Sequence, residues 1–178
     1  LRIMNRDGDI RDRVVTVKLN QVLSSQEKYI LVELELPAGT SGQTLPVATT
    51  RVSFRNQQTK AQEKLDSAVS ASFTADVALA EKSVQKDVKK DVVLQLATEA
   101  NERAVQLRDE GKVKEAKQAL QDNAAMLKGA ASALSAPALE QYAQQNEAAA
   151  GAVDSEQWAD KRKEMREEQY QNKTQQTY

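Results

Sequence analysis

The sequence predicts an α+β chain: an antiparallel β-sandwich or half-sandwich over residues 1–75, then a long antiparallel helical hairpin over 76–135, then an Ala/Gln-rich and charged helical tail over 136–178. Three observations predict it. Apolar residues alternate with a period of two as far as about residue 75, and from Asp76 they recur every three or four residues. Gly111 then interrupts two helical stripes at a point where the chain can fold back.

The β half is justified strand by strand. Arg13–Leu19 (RVVTVKL) is a short β-branched run, and Tyr29–Leu36 (YILVELEL) puts Ile30, Val32, Leu34 and Leu36 on one face with Glu33 and Glu35 on the other. Pro37, Gly39 and Gly42 mark a turn-rich loop, after which Leu45–Phe54 (LPVATTRVSF) resumes the alternation from a Pro suited to a strand start or an edge. Ala61–Phe73 (AQEKLDSAVSASF) places Leu65, Val69, Ala71 and Phe73 on one parity. Four strands with one apolar face leave that face or an edge to be covered. Because Leu1–Ile10 (LRIMNRDGDI) starts in mid-pattern, further strands are expected ahead of it.

The helical half follows the same logic. Thr74 or Asp76 can cap a helix whose stripe is Val77, Ala80, Val84, Val88, Val92, Leu96, Ala100, Ala104 and Leu107. Val113, Ala116, Ala119, Leu120, Ala124, Leu127 and Ala131 form the second stripe. Pro137 opens a third helical stretch to about Ala150, and Asp154 or Ser155 can cap a last one over 156–171. That last segment, with KRKEMREEQY, is nearly all charged. It is either a solvated helix or one docked through Trp158, Met165 and Tyr170, and these three are the candidate partner-binding residues. The closing NKTQQTY is expected to fray or to be disordered.

Composition bounds the chemistry. The 178 residues contain no Cys and no His, which removes thiolate nucleophiles, soft metal sites, the commonest zinc ligand and the Ser/His/Asp triad. Aromatics are 4 % of residues and the formal net charge is -1, so neither a base-stacking platform nor a basic field toward nucleic acid is present. No apolar run approaches the roughly 20 residues of a membrane span.

Local motifs resolve to ordinary structure. Asp7-Gly8-Asp9 lacks the further oxygen ligands of a calcium loop and reads as a turn. Lys82, Lys86, Lys89 and Lys90 are interleaved with Glu81, Asp87 and Asp91, as on a solvated face. The paired carboxylates Asp109-Glu110 and Glu167-Glu168 have no apolar pocket in view to shift a pKa, and no Gly-rich phosphate loop occurs. The hairpin around Gly111 resembles a single tetratricopeptide-like unit, and one unit does not make an array. The expectation is a chain without catalytic residues, metal or cofactor.

One resemblance runs through these segments. RDRVVTVKLNQVLSSQEKYILVELELPAG, LPVATTRVSFRN, the strand leading into the long helix, and EGKVKEAKQALQDNA, together about Asp12 to Leu127, resemble the region downstream of the metal-binding domain in bacterial von Willebrand factor A (VWA) proteins. The resemblance implies that residues 1–75 are later strands of a β-sandwich, that 76–135 are its helical extension, and that the partner is the VWA domain of a parent protein. Asp66-Ser67-Ala68-Val69-Ser70 approaches that family's Asp-x-Ser-x-Ser cation loop, but Ala68 stands where a hydroxyl ligand is needed. No metal ligand is therefore transferred. The implied role is non-catalytic support of adhesion or assembly by protein–protein contact, in a periplasmic or cell-surface setting. The alternative is an autonomous helical adaptor that oligomerises or binds a partner helix through Trp158 and Met165.

Overall fold

Strands and helices occupy the two halves of the chain in the computed structural model, which describes residues 1–175. In order they are β1 (Arg2–Ile3), β2 (Asp9–Arg11), β3 (Val14–Thr16), β4 (Val32–Glu33), β5 (Thr44–Arg55), β6 (Gln62–Ser72), α1 (Val77–Ser83), α2 (Lys86–Asp109), α3 (Val113–Leu134), α4 (Pro137–Ala152) and α5 (Trp158–Thr174). The α+β class and antiparallel pairing are as expected. The strands, however, form three separate two-stranded sheets, β1 with β4, β2 with β3, and β5 with β6, in place of a continuous sandwich face. The contacts also group the chain into two units, residues 1–34 with 85–178, and residues 35–84, so the first 34 residues belong with the helices and not with β5 and β6.

In the first unit, α2 and α3 form the hairpin that the glycine signals. Gly111 has φ +79°, its N–H donates to the Arg108 carbonyl at 3.0 Å, and the Lys112 N–H reaches back to the Leu107 carbonyl at 2.9 Å. This is the paired capping pattern that satisfies the last carbonyls of a helix, and it needs a residue without a Cβ. Ser135, in left-handed conformation, ends α3, and Pro137 at the first turn of α4 starts the next helix where its missing N–H costs nothing. The four helices α2–α5 enclose two apolar clusters. One contains Ala104, Val105, Leu107, Ala116, Leu120, Ala149, Ala150, Val153, Trp158 and Met165. The other contains Ala97, Leu127, Ala131, Leu134, Ala136, Leu139, Tyr142 and Ala143. Many of these are alanines, so the helices can approach closely and contact area comes from backbone proximity more than from large side chains.

The buried face of α2 differs from the apolar stripe. Leu96 and Val88 are exposed, whereas Gln95, Ala97, Thr98, Asn101, Ala104, Val105 and Leu107 are buried. The reason is that polar side chains on α2 find partners inside the bundle, and a hydrophobicity count cannot register them. The charged tail is also a docked helix: α5 runs through Thr174, buries Trp158, Met165 and Gln169, and ties to α2 by Arg162 to Asp109 at 3.0 and 2.7 Å. The expected fraying of NKTQQTY therefore does not hold for residues 172–174, while 176–178 lie outside the described residues.

The N-terminal strands join the same unit. β2 and β3 are linked by Asp12 and Arg13, both at positive φ (48° and 67°), the mirror-image turn that suits a two-residue hairpin. Gly8 is obligatory for a different reason: a Cβ there would stand 2.8 Å from the Thr16 carbonyl oxygen. Asp7-Gly8-Asp9 is thus a point of close backbone approach. Buried Asn5 then clips β1 to the chain before β4, donating to the Tyr29 carbonyl at 3.1 Å and accepting from the Leu31 N–H at 2.9 Å.

The second unit is the β5–β6 ribbon with α1. Its register pairs Ala48 with Val69, Thr50 with Ser67, Val52 with Leu65 and Phe54 with Glu63 on one face, and Arg51 with Asp66 on the other. Helix α1 is capped by Asp76, whose Oδ1 accepts from the Leu79 N–H at 3.1 Å, and it stops at Ser83 where one uninterrupted helix was expected. None of its residues is buried, and a seven-residue helix without packing has nothing to propagate it.

Candidate functional site

Two features of the molecule stand apart from ordinary core and surface: the apolar face of the β5–β6 ribbon, and a layer of buried amides inside the helices.

The ribbon face follows from the alternation in its two strands. Because paired residues share a side, Ala48, Val52, Phe54, Leu65 and Val69 project together. Val52 is 53 % exposed, Leu65 61 %, Val69 55 % and Phe54 37 %. No residue from 35 to 84 is buried. A two-stranded hairpin is marginal in water on its own, so this unit has an apolar face and no core to put it in. The opposite face is polar, with Arg51 Nε 2.7 Å from Asp66 Oδ1. Asp66 therefore points away from Ser67 and Val69, and the Asp66–Ser70 segment is a strand that spreads its side chains over both faces.

The amide layer draws one residue from each helix of the bundle. Asn146 Oδ1 on α4 accepts from Asn101 Nδ2 on α2 and from Asn123 Nδ2 on α3, both at 3.0 Å. Asn123 Nδ2 also reaches the Ala97 carbonyl at 2.8 Å, Asn146 Nδ2 donates to the Tyr142 carbonyl at 2.8 Å, and Gln169 Nε2 on α5 donates to Asn101 Oδ1. All four side chains are at most 3 % exposed. In sequence the three asparagines each lie between members of the two apolar clusters, for example Asn123 between Leu120 and Leu127, whereas Gln169 follows only Met165 of the first. A second set continues it: Gln95 Nε2 donates to the Asn172 carbonyl at 2.8 Å and to Tyr29 Oη at 3.1 Å, and Asn172 Nδ2 to Thr98 Oγ1 at 3.1 Å. The Tyr142 hydroxyl lies beside Thr98 and Asn172, which bond to each other, and completes no well-formed hydrogen bond; burial raises its pKa well above the usual value.

The residues singled out in the sequence divide between these environments. Trp158 and Met165 are 7 % and 5 % exposed and sit in the first apolar cluster, where the Arg108 guanidinium lies 5.9 Å from the Trp158 ring and its Nε donates to the Val153 carbonyl at 2.6 Å. They anchor α5 to its own bundle. Tyr170 is 48 % exposed on α5. Of the carboxylate pairs, Asp109 and Glu110 are held below the ordinary carboxylate range, chiefly by hydrogen bonds from Arg162 and Lys112 respectively. Glu168 behaves oppositely: burial pushes its carboxyl up to about 7, and a hydrogen bond with Gln145 only partly opposes this. The pocket that shifts it is made by packing α5 on α4, which the local sequence around Glu167-Glu168 does not display.

Among the described residues no group of three or more Asp or Glu side chains is placed to hold a metal ion, and no helix is long and apolar enough to cross a membrane. No protein-family model, curated protein or solved structure matches the chain.

Proposed function

We propose that this chain is a non-catalytic interaction module, in which the helical unit is a self-sufficient scaffold and the β5–β6 ribbon is the part completed by a protein partner. The observation that carries it is the exposed apolar face of Val52, Phe54, Leu65 and Val69 in a unit without a buried residue. Burying such a face stabilises at roughly 25 cal/mol per Å² of apolar surface, and a partner sheet or strand supplies that burial while its main chain can pair with a ribbon edge. On the resemblance over residues 12–127, the covering sheet would belong to a VWA-type protein that uses this chain in adhesion or assembly. The adaptor alternative has less support, since Trp158 and Met165 already fill the chain's own core.

Photo-crosslinking separates the readings. A crosslinking residue placed at position 52 or 65 in cells that make the protein should capture a partner, and one at position 53 or 64 on the polar face should not. Equal yields from both faces, together with slow hydrogen exchange of the β5–β6 amides in the isolated chain, would show that the ribbon needs no cover.

A further inference from the structure

A cleft of about 620 Å³ lies between the N-terminal strands and helices α2 and α5 of the first unit. Its floor includes Met4, Asn5 and Gln169, all buried. Its charged lining is Arg6, Lys18, Arg166 and Lys173 against Asp7 and Glu102. Glu102 is occupied, with both oxygens 2.8 and 2.9 Å from Lys173 Nζ. The surplus is therefore positive, in a chain whose formal net charge is -1.

Arg6 is the centre of that surplus. It is half-buried, and its guanidinium is fixed by neutral acceptors: Nη2 donates to the Thr174 carbonyl at 2.7 Å and to Gln175 Oε1, and Nε to the Tyr29 carbonyl at 3.4 Å. Among the described residues no carboxylate pairs with it. Burial works against its charge and draws its pKa below the ordinary value, although a guanidinium keeps its proton throughout the physiological range. Around it, Arg166 Nη1 bonds to Gln169 Oε1 at 3.3 Å, and Lys18 makes no side-chain hydrogen bond among the described residues. A carboxylate or phosphate is the chemical group that would meet three such donors in a partly desolvated recess.

We propose that this cleft binds a small anionic ligand through a carboxylate or phosphate group, with Arg6 as anchor and Lys18 and Arg166 engaging it from the rim. The site is independent of the ribbon and of the partner proposed for it.

The test is calorimetric titration of the full chain at about 10 mM ionic strength, where charge interactions are little screened, with inorganic phosphate and separately with succinate. Saturable one-to-one binding of at least one probe is expected. Binding of phosphate alone assigns a phosphorylated ligand, of succinate alone a carboxylate one, and of both a site that reads charge. R6Q should weaken binding about tenfold or more, as loss of a charge-assisted hydrogen bond does. Because R6Q also cuts the tie to Thr174, two exposed variants carry the decision without touching the fold: K18Q should weaken binding about two- to fivefold, and D7N should tighten it. No saturable binding of either probe, or identical affinities in K18Q, D7N and the unchanged protein, overturns the proposal.

Discussion

Replacing Asn146 by alanine removes the acceptor shared by two helices. In the intact layer its Oδ1 takes Asn101 Nδ2 and Asn123 Nδ2, and its own Nδ2 bonds to the Tyr142 carbonyl. After N146A, Asn123 keeps the Ala97 carbonyl as acceptor, but Asn101 Nδ2 is left buried with no other acceptor among the described residues. A buried donor stripped of its partner costs about 1–3 kcal/mol, and the weakened second bond and small cavity add to it. The expected loss is about 2–4 kcal/mol, a large share of the stability of a domain this size. Urea unfolding followed by far-UV circular dichroism should show the midpoint falling with the slope unchanged. A companion variant with leucine at 101, 123, 146 and 169 should retain helicity, since the mutually bonded amides go together and the exposed Arg166, which loses Gln169, can turn to water, and it should lose a single well-ordered packing arrangement. A loss below about 0.5 kcal/mol in N146A would refute the reasoning, because it would mean that water already satisfies these amides and that the layer does not register the helices.

Two further outcomes follow from the same unit. Glu168 has a folded pKa of about 7 against an ordinary 4.5, so its charge opposes folding: stability is fullest below pH 4.5, declines as pH rises, and is least above 7. The pKa difference caps the effect at about 3 kcal/mol, and solvent at the outer side of the carboxyl reduces it to about 1–2; E168Q should therefore be more stable than the unchanged protein at pH 8 and equal to it at pH 4, as read by thermal unfolding at the two values. Gly111→Ala, which puts a Cβ at φ +79°, should cost about 1 kcal/mol in urea unfolding without altering helix content, and an unchanged midpoint would mean that the turn is not left-handed in solution.

How much of this was legible in the sequence depended on what kind of signal each residue carries. The Gly111 turn and the stripe Ala116, Leu120, Ala124, Leu127, Ala131 announced α3 and the hairpin, because a Cβ-free left-handed residue and an apolar face are both local properties. β5 and β6 were legible from alternation for the same reason. The amide layer was not, since Asn101, Asn123, Asn146 and Gln169 are far apart in sequence, each looks like a surface residue, and only the packed bundle makes them mutual partners. Trp158 and Met165 were visible as the apolar residues of a charged segment, but periodicity does not say whether such residues meet another chain or their own. The turn at Asp12-Arg13 was hidden by its composition, as the usual Asn-Gly or Asp-Gly signal is absent.

The two units use apolar residues in opposite ways, and that contrast is what links the fold to the proposed role. The helical unit spends even its alanines on internal contact and fills the middle of its bundle with amides that have few alternative partners, so its arrangement is fixed from within. The ribbon carries β-branched and aromatic side chains of the kind that stabilise sheets, and leaves them in water. Selection for solubility alone would place polar residues at positions 52, 65 and 69, since nothing in the unit packs against them. Retaining valine and leucine there is accounted for if another surface covers them for much of the protein's working life. Glu168, whose carboxyl burial raises to about 7, does not line the cleft around Arg6. Binding in that cleft and completion of the ribbon, as proposed, are both recognition events, one of charge and the other of apolar surface.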